Sequence, residues 1–207
     1  MTKKVEFTIV NIGTLSMNKY WGETERLRTT TATCTLLRTQ GINVLVDPSP
    51  YPPDLEKLLF ANTGLKPEDI DIVFATHFHG DHLFGVELFP EAEWLMAQVG
   101  LDEWSKVNPD EKDLLHKFIP GEDKLPEGIS LLPAPGHTFG LHALSVETRW
   151  GLLIVAGDAV MTPEFFREGE GYHNSVDFKL AAETIHDIKS QAALVIPGHG
   201  NIIINIP

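Results

Sequence analysis

The stretch Ile72-Val73-Phe74-Ala75-Thr76-His77-Phe78-His79-Gly80-Asp81-His82 decides how the rest of the chain is read. Its first four residues are apolar and read as a strand, and four side chains able to bind a metal follow within six positions. Along an extended chain, residues two apart point the same way, so His77 and His79 can grip one ion. Gly80 permits a sharp turn that would swing Asp81 and His82 toward a second ion nearby. The plain alternative is a polar loop with incidental histidines. Three histidines and an aspartate at this density argue against it.

Three other apolar runs end in glycine followed at once by a potential ligand. Leu131-Leu132-Pro133-Ala134-Pro135-Gly136 leads to His137, Leu152-Leu153-Ile154-Val155-Ala156-Gly157 to Asp158, and Ala193-Leu194-Val195-Ile196-Pro197-Gly198 to His199. Open α/β sheets present functional residues just beyond the carboxyl ends of their strands. The repeated glycine lets the backbone turn and come close to whatever is bound there. Four strand ends thus offer five histidines and two aspartates to one place. A structural zinc takes four ligands and is usually thiolate-rich. Seven nitrogen and oxygen ligands without a nearby cysteine suit two ions about 3.5–4 Å apart instead. Imidazole favours zinc, and added carboxylates also admit iron or manganese.

Around these runs the chain alternates short strands with a few helices. Residues 5–13, 31–39 and 42–47 read as strands. Pro53 and Asp54 open a helix with Leu55, Leu58 and Leu59 on one face, closed by Gly64. Residues 92–98 read as a strand, and 100–118 as one or two short helices with Trp104, Leu114 and Leu115 inward. Strands follow at 129–132, 141–146, 151–156 and 194–196. Phe178, Ala181, Ala182, Ile185 and Ile188 recur at helical spacing, which predicts an amphipathic helix over 175–190. The expectation is one domain over residues 1–207, built of layered sheets covered by helices.

Of the 207 residues, 29 are acidic and 16 basic, a net charge of −13. Such a surface repels phosphate backbones, and no basic run overrides it, so no nucleic-acid partner is expected. No apolar stretch approaches the ~18 residues of a membrane span. Lys3 and Lys4 are followed by Glu6 and Asn11 rather than by an unbroken apolar region, so a cytoplasmic protein is expected. The single cysteine, Cys34, cannot form an intrachain bridge and reads as a small buried side chain. His142 reads as a core or edge histidine, and His116 and His186 as solvated.

The series His-x-His-x-Asp-His at 77–82, Pro-Gly-His-Thr at 135–138, Gly-Asp at 157–158 and Gly-His at 198–199 resembles the metallo-β-lactamase-fold superfamily. The resemblance implies an α+β fold, a four-layer αβ/βα sandwich of two mixed sheets flanked by helices, with the metal centre along one edge. It implies that His77, His79 and His137 hold one metal and that Asp81, His82 and His199 hold the other. Asp158 would bridge them, and Asp47 would support the ligating histidines from behind. The implied reaction is hydrolysis of a small ester, lactone or thioester by a hydroxide shared between two divalent ions, zinc first. Asp81 is expected to double as the catalytic group that orients the hydroxide or passes a proton to the leaving group. In the family the segment Leu15–Trp21 often overhangs the metals, so Met17, Tyr20 and Trp21 are expected to wall a small-molecule substrate.

Departures from relatives narrow the choice. Secreted zinc β-lactamases carry a cysteine ligand where Asp158 stands. Flavin-linked diiron members have glutamate at the place of His79. Glyoxalase II-like thioesterases add a helical glutathione-binding region, for which the eight residues after His199 leave no room. The stretch Gly157–Phe166 resembles quorum-signal lactonases, which carry tyrosine where Met161 stands. Tyr172 or His173, in the glycine-rich loop Gly169–Asn174, could supply a hydrogen-bond donor in its place. The competing readings are a mononuclear iron persulfide dioxygenase, a phosphodiesterase or nuclease, and a non-catalytic metal-binding protein. A homodimer is compatible with the sequence but not demanded by it.

Overall fold

The computed structural model describes residues 4–205. The period-two alternation of the strands decides its layering. In the first sheet Leu37, Val44, Val46, Ile72 and Phe74 face one way, toward Ile129, Leu144, Val146, Leu153, Val155 and Ile196 of the second. Their immediate neighbours Leu36, Leu45 and Val73 face the other way, onto Leu55, Leu59, Leu101 and Trp104 of two helices. Strands buried on both faces read as unbroken apolar runs, which is why these segments show no polar face. In the second sheet Ala143, Ile154 and Val195 turn outward against Ile185 and Ile188 of a further helix. The result is two mixed sheets face to face with helices outside each, as expected.

The first sheet runs in the order β1 (Glu6–Asn11), β2 (Cys34–Thr39), β3 (Ile42–Val46), β4 (Ile72–Phe74), β5 (Glu93–Met96) and β6 (Phe118–Pro120). β1, β2 and β3 pair antiparallel, and β3 to β6 are parallel. The second sheet comprises β7 (Ile129–Pro133), β8 (His142–Thr148), β9 (Gly151–Gly157), β10 (Leu194–Pro197) and β11 (Ile203–Ile204), in the order β11-β10-β9-β8-β7. Only β9 and β10 pair parallel there. Helices α1 (Pro52–Thr63) and α2 (Gln98–Val107) cover the first sheet, with the short α3 (Lys112–Leu115) beyond them. Helix α4 (Pro163–Glu168) follows β9, and α5 (Phe178–Gln191) covers the second sheet. Among the described residues no helix is long and apolar enough to cross a membrane.

Four details depart from the sequence reading. β2 begins at Cys34 rather than at residue 31, because Thr31 is held in an isolated bridge to Thr14 and Thr33 donates to the Gly198 carbonyl. Phe118 opens the edge strand β6 instead of ending a helix. α4 and β11 were not anticipated, being six and two residues long. α5 begins at Phe178, where the Asp177 carboxylate caps it by accepting from the Leu180 amide at 2.9 Å.

Phe74 is fully buried between the sheets on the strand that leads into the histidine cluster. Phe74→Ala should cost about 3–5 kcal/mol of unfolding free energy in urea titrations. Asp177→Ala, which removes only the helix cap, should cost about 1 kcal/mol.

Candidate metal centre

Each ligand candidate sits just past a strand end at one edge of the sandwich. Histidines 77, 79 and 82 and Asp81 follow β4, His137 follows β7, Asp158 follows β9, and His199 follows β10. The glycines before the last three ligands are needed for close approach of the chain to itself. A Cβ on Gly198 would lie 1.9 Å from Asp158 Oδ1, and one on Gly136 would lie 2.4 Å from the Ala181 backbone of α5. The two sheets are also stitched here, where the His142 amide donates to the Thr76 carbonyl at 3.1 Å.

All seven predicted ligands converge, in two groups. His77, His79, His137 and Asp158 form one, and Asp81, His82 and His199 the other, with ligand atoms inside each group within 4.8 Å of one another. In the first, His79 Nδ1 lies 2.9 Å from both His77 Nε2 and His137 Nε2. In the second, Asp81 Oδ2 lies 3.6 Å from His199 Nε2 and 4.0 Å from His82 Nε2. Asp158 stands between them with its oxygens divided. Oδ2 lies 3.2 Å from His137 Nε2 and 3.8 Å from His77 Nε2. Oδ1 lies 3.1 Å from His82 Nε2 and 3.2 Å from His199 Nε2.

Hydrogen bonds behind the rings fix which nitrogens face inward. Asp47, at the end of β3, takes the left-handed conformation (φ 52°) and turns its carboxylate back toward β4. Its Oδ1 accepts from the Thr76 amide at 2.8 Å, and its Oδ2 accepts from Thr76 Oγ1 and His82 Nδ1, both at 2.9 Å. With its proton given to Asp47, Thr76 Oγ1 accepts from His77 Nδ1 at 3.1 Å. His199 Nδ1 donates to the Thr31 carbonyl at 2.9 Å. The rings of His77, His82 and His199 therefore present Nε2 lone pairs to the centre. Asp47 is thus bonded to His82 directly and to His77 through Thr76, one histidine of each group.

Electrostatics sort the groups in the same way. Burial holds His77 and His79 below the ordinary histidine range and His137 down to about 4, so these rings stay neutral, the ligating form. Burial alone would also lower His82 and His199, but the Asp158 carboxylate raises both, with Asp47 adding to the effect on His82. Burial would push Asp158 up, yet His199, His82 and His137 hold it well below the carboxylate range. The field that draws protons to His82 and His199 is one that draws cations.

The donor set fits a metal pair. Three ring nitrogens meet around His79 Nδ1, where one shared proton could satisfy only a pair of them, whereas a cation satisfies all three. Tetrahedral zinc with Zn–N of about 2.0–2.1 Å would set them about 3.3 Å apart, a small adjustment. The second group offers two neutral-capable imidazoles and a carboxylate, and Asp158 supplies one oxygen to each side.

Above the cluster lies a cavity of about 470 Å³ lined in part by His79, Asp81, Asp158 and His199. Of the residues the sequence offers as substrate contacts, Met161, Tyr172 and His173 line it, and Met17, Tyr20 and Trp21 lie outside its lining. Trp21 is half-exposed and its indole donates to Glu164 at 3.1 Å, while Asn18 donates to the same carboxylate at 3.3 Å. Tyr20 donates to Glu170 and packs edge-on against Phe165 at 4.9 Å. Those contacts strap residues 18–21 to α4 and the turn after it. Residues on either side of that segment, Leu15, Ser16, Arg26, Thr29 and Thr30, line the cavity instead. Tyr172 spends its hydroxyl on the Met17 carbonyl at 2.9 Å.

Two supports were not foreseen. Thr76 was part of the quoted motif but its relay between Asp47 and His77 has no signature in spacing. Glu103 on α2 accepts from the Phe139 and Gly140 amides at 2.9 and 2.5 Å, pinning the turn after His137, and only tertiary structure brings it there. His142 is bonded to the Gly140 carbonyl at 3.0 Å and is no ligand. Burial pushes the Cys34 thiol up to about 12, which removes it as a nucleophile.

Residues 27–199 match the family model of the Metallo-beta-lactamase superfamily. The chain is 34% identical over 167 residues to Metallo-beta-lactamase domain-containing protein 1 of Xenopus laevis, covering 77% of this chain and 66% of that protein. It is 32% identical over 155 residues to an N-acyl homoserine lactonase of Bacillus cereus, covering 68% of this chain and 60% of the relative. The matched region therefore spans just under two thirds of these relatives' own length. Among solved structures, AidC, a dizinc quorum-quenching lactonase in complex with a product, superposes with a TM-score of 0.69 at 18% identity. That likeness covers 96% of this chain and 85% of the other and is one of fold. The family match runs through all seven clustered side chains, and the chain belongs to the metallo-beta-lactamase superfamily.

Proposed function

We propose that this protein is a metal-dependent hydrolase that opens a small ester-like substrate, a lactone foremost, at a pair of divalent ions, zinc before iron or manganese. The observation that carries the reading is the division of Asp158, one oxygen toward each group of histidines. His77, His79 and His137 would hold one ion, Asp81, His82 and His199 the other, and Asp158 both. Such a pair, when bound, supplies an acidified water as nucleophile at neutral pH and a Lewis acid for the carbonyl oxygen.

The chain's own residues supply the rest. Asp81 keeps 19% of its side chain exposed toward the cavity, the most open of the carboxylates at the centre. It can therefore orient the attacking water and hand a proton to the departing alkoxide. Asp47 and Thr76 hold the imidazoles in the ligating tautomer. Met161 is buried where lactonases carry a tyrosine, so no hydroxyl is offered from that position. Tyr172 is tied to Met17, and burial raises its phenol above the ordinary range, so it remains protonated. His173, which makes no side-chain hydrogen bond among the described residues, is the free polar ring of that wall. The lactonase relatives support lactones over other esters. A single-iron persulfide oxidation would leave His82 and His199 without a part, which favours the hydrolytic reading.

Elemental analysis of protein purified without added metal or chelator should find two divalent ions per chain. Asp158→Ala should lower both metal content and lactone turnover, the latter by at least about 100-fold; full activity in that variant would refute the bridging role. Asp47→Asn should weaken metal affinity by about 10- to 100-fold in competition with a chromogenic chelator, with the fold retained by circular dichroism.

A further inference from the structure

The cavity over the candidate metal centre carries a cation that no other described residue engages by hydrogen bond or ion pair. Among the described residues, Arg26 is the one Lys or Arg side chain on its lining. Arg28, two residues on, shows what a structural arginine does in this segment. It donates to the Leu15 carbonyl at 2.8 Å, pairs with Glu23 and lies 5.4 Å from the centre of the Trp21 ring. Glu23 is saturated by that pairing and by the Asn18 amide, which donates to it at 2.8 Å. Arg26 has no hydrogen bond or ion pair among the described residues. It lies close enough to Tyr172, on the cavity's other wall, for its charge to favour the phenolate there.

The surroundings of Arg26 are those of an anion subsite. Ser16, Thr30 and Asn174 share the lining, and their side chains make no hydrogen bonds among the described residues. The opposing charges in the same cavity are Asp81 and Asp158, both at its floor and both committed to the metal-ligand cluster. Arg26 and Asn174 are exposed at the rim of the cavity, above the buried cluster, and a guanidinium placed there can meet carboxylate or phosphate oxygens through paired N–H donors.

We infer that Arg26 selects substrates carrying an oxyanion, a carboxylate or a phosphate, on the part of the molecule remote from the scissile carbonyl. The inference rests on the hydrolase reading above and narrows it, since it sets a charged substrate class against neutral acyl lactones. Leu15, Phe84 and Met161 leave room for a short apolar spacer between the two ends.

The test uses the full chain loaded with zinc and three matched esters: mono-p-nitrophenyl glutarate, its 4-phosphonobutanoate counterpart and neutral p-nitrophenyl pentanoate. The wild-type protein should favour a charged ester in kcat/KM by up to about fivefold, the value of one exposed ion pair. Whichever anion is preferred separates a carboxylate from a phosphate substrate. Arg26→Ala should erase the preference by raising KM for the charged esters alone, and Arg26→Lys should restore part of it. Calorimetry with glutarate against pentanoate gives a readout free of turnover, with tighter glutarate binding lost in Arg26→Ala. Equal kcat/KM for charged and neutral esters, or equal losses for both in Arg26→Ala, would overturn the inference. A zinc-loaded protein that turns over no ester refutes the hydrolase reading instead, and the calorimetric comparison then decides the anion subsite alone.

Discussion

A carboxylate taken out of water without compensation costs several kcal/mol, and Asp158 is buried at the meeting point of both sheets. Its compensation is the ring of histidines around it, drawn from the ends of three other strands. None of them could be brought there by local structure alone. His82 comes from the first sheet, and His137 and His199 from the second. The ionised Asp158 and the sandwich are therefore mutually dependent: the sheets must pack for the charge to be tolerated, and the charge holds the sheet edges in register. Gly198 is part of the same arrangement, because any Cβ would occupy the place of Asp158 Oδ1.

That dependence ties metal binding to folding. The inter-sheet core of Leu37, Val46, Phe74, Leu144 and Val155 sets the separation of the two strand bundles, and through it the distance between the two ligand groups. Asp47 then refines what packing alone leaves loose. One carboxylate in a left-handed backbone conformation orders the Thr76 turn, the His77 ring through Thr76, and His82 directly. Binding free energy of a metal at such a site adds to the stability of the folded state, since the unfolded chain scatters these ligands.

How much of this was legible follows from the range of each interaction. The clustering of the seven ligand candidates could be read because four of them are neighbours in sequence and the others repeat one local pattern, an apolar run, a glycine and a polar side chain. The strands β3, β4 and β9 could be read because each is a short apolar run bounded by turn residues, a local signal. The part of the cavity wall between residues 15 and 30 could not. Met17, Tyr20 and Trp21 look like an apolar rim in sequence, but Glu164 and Glu170 lie about 150 positions away in the chain and turn that stretch toward α4. Arg26, Thr29 and Thr30, which line the cavity, carry no pattern at all. β6 and β11 escaped for a related reason, since two or three residues give too short a period to recognise, and they exist only because a neighbouring strand offers an edge.

The parts of the centre also differ in how they are held. The ligands sit at strand ends, almost all buried, and their backs are tied by backbone and carboxylate partners. The lip is made from residues 13–31, which contain no β-strand and are fastened by surface ion pairs and hydrogen bonds worth little individually. Substitutions in the lip can therefore change which substrate fits without disturbing metal geometry, whereas substitutions behind the ligands change both. A superfamily that keeps one metal scaffold while varying its chemistry needs this separation. In this chain the separation is visible in two arginines two positions apart, Arg28 spent on holding the lip and Arg26 left facing the cavity.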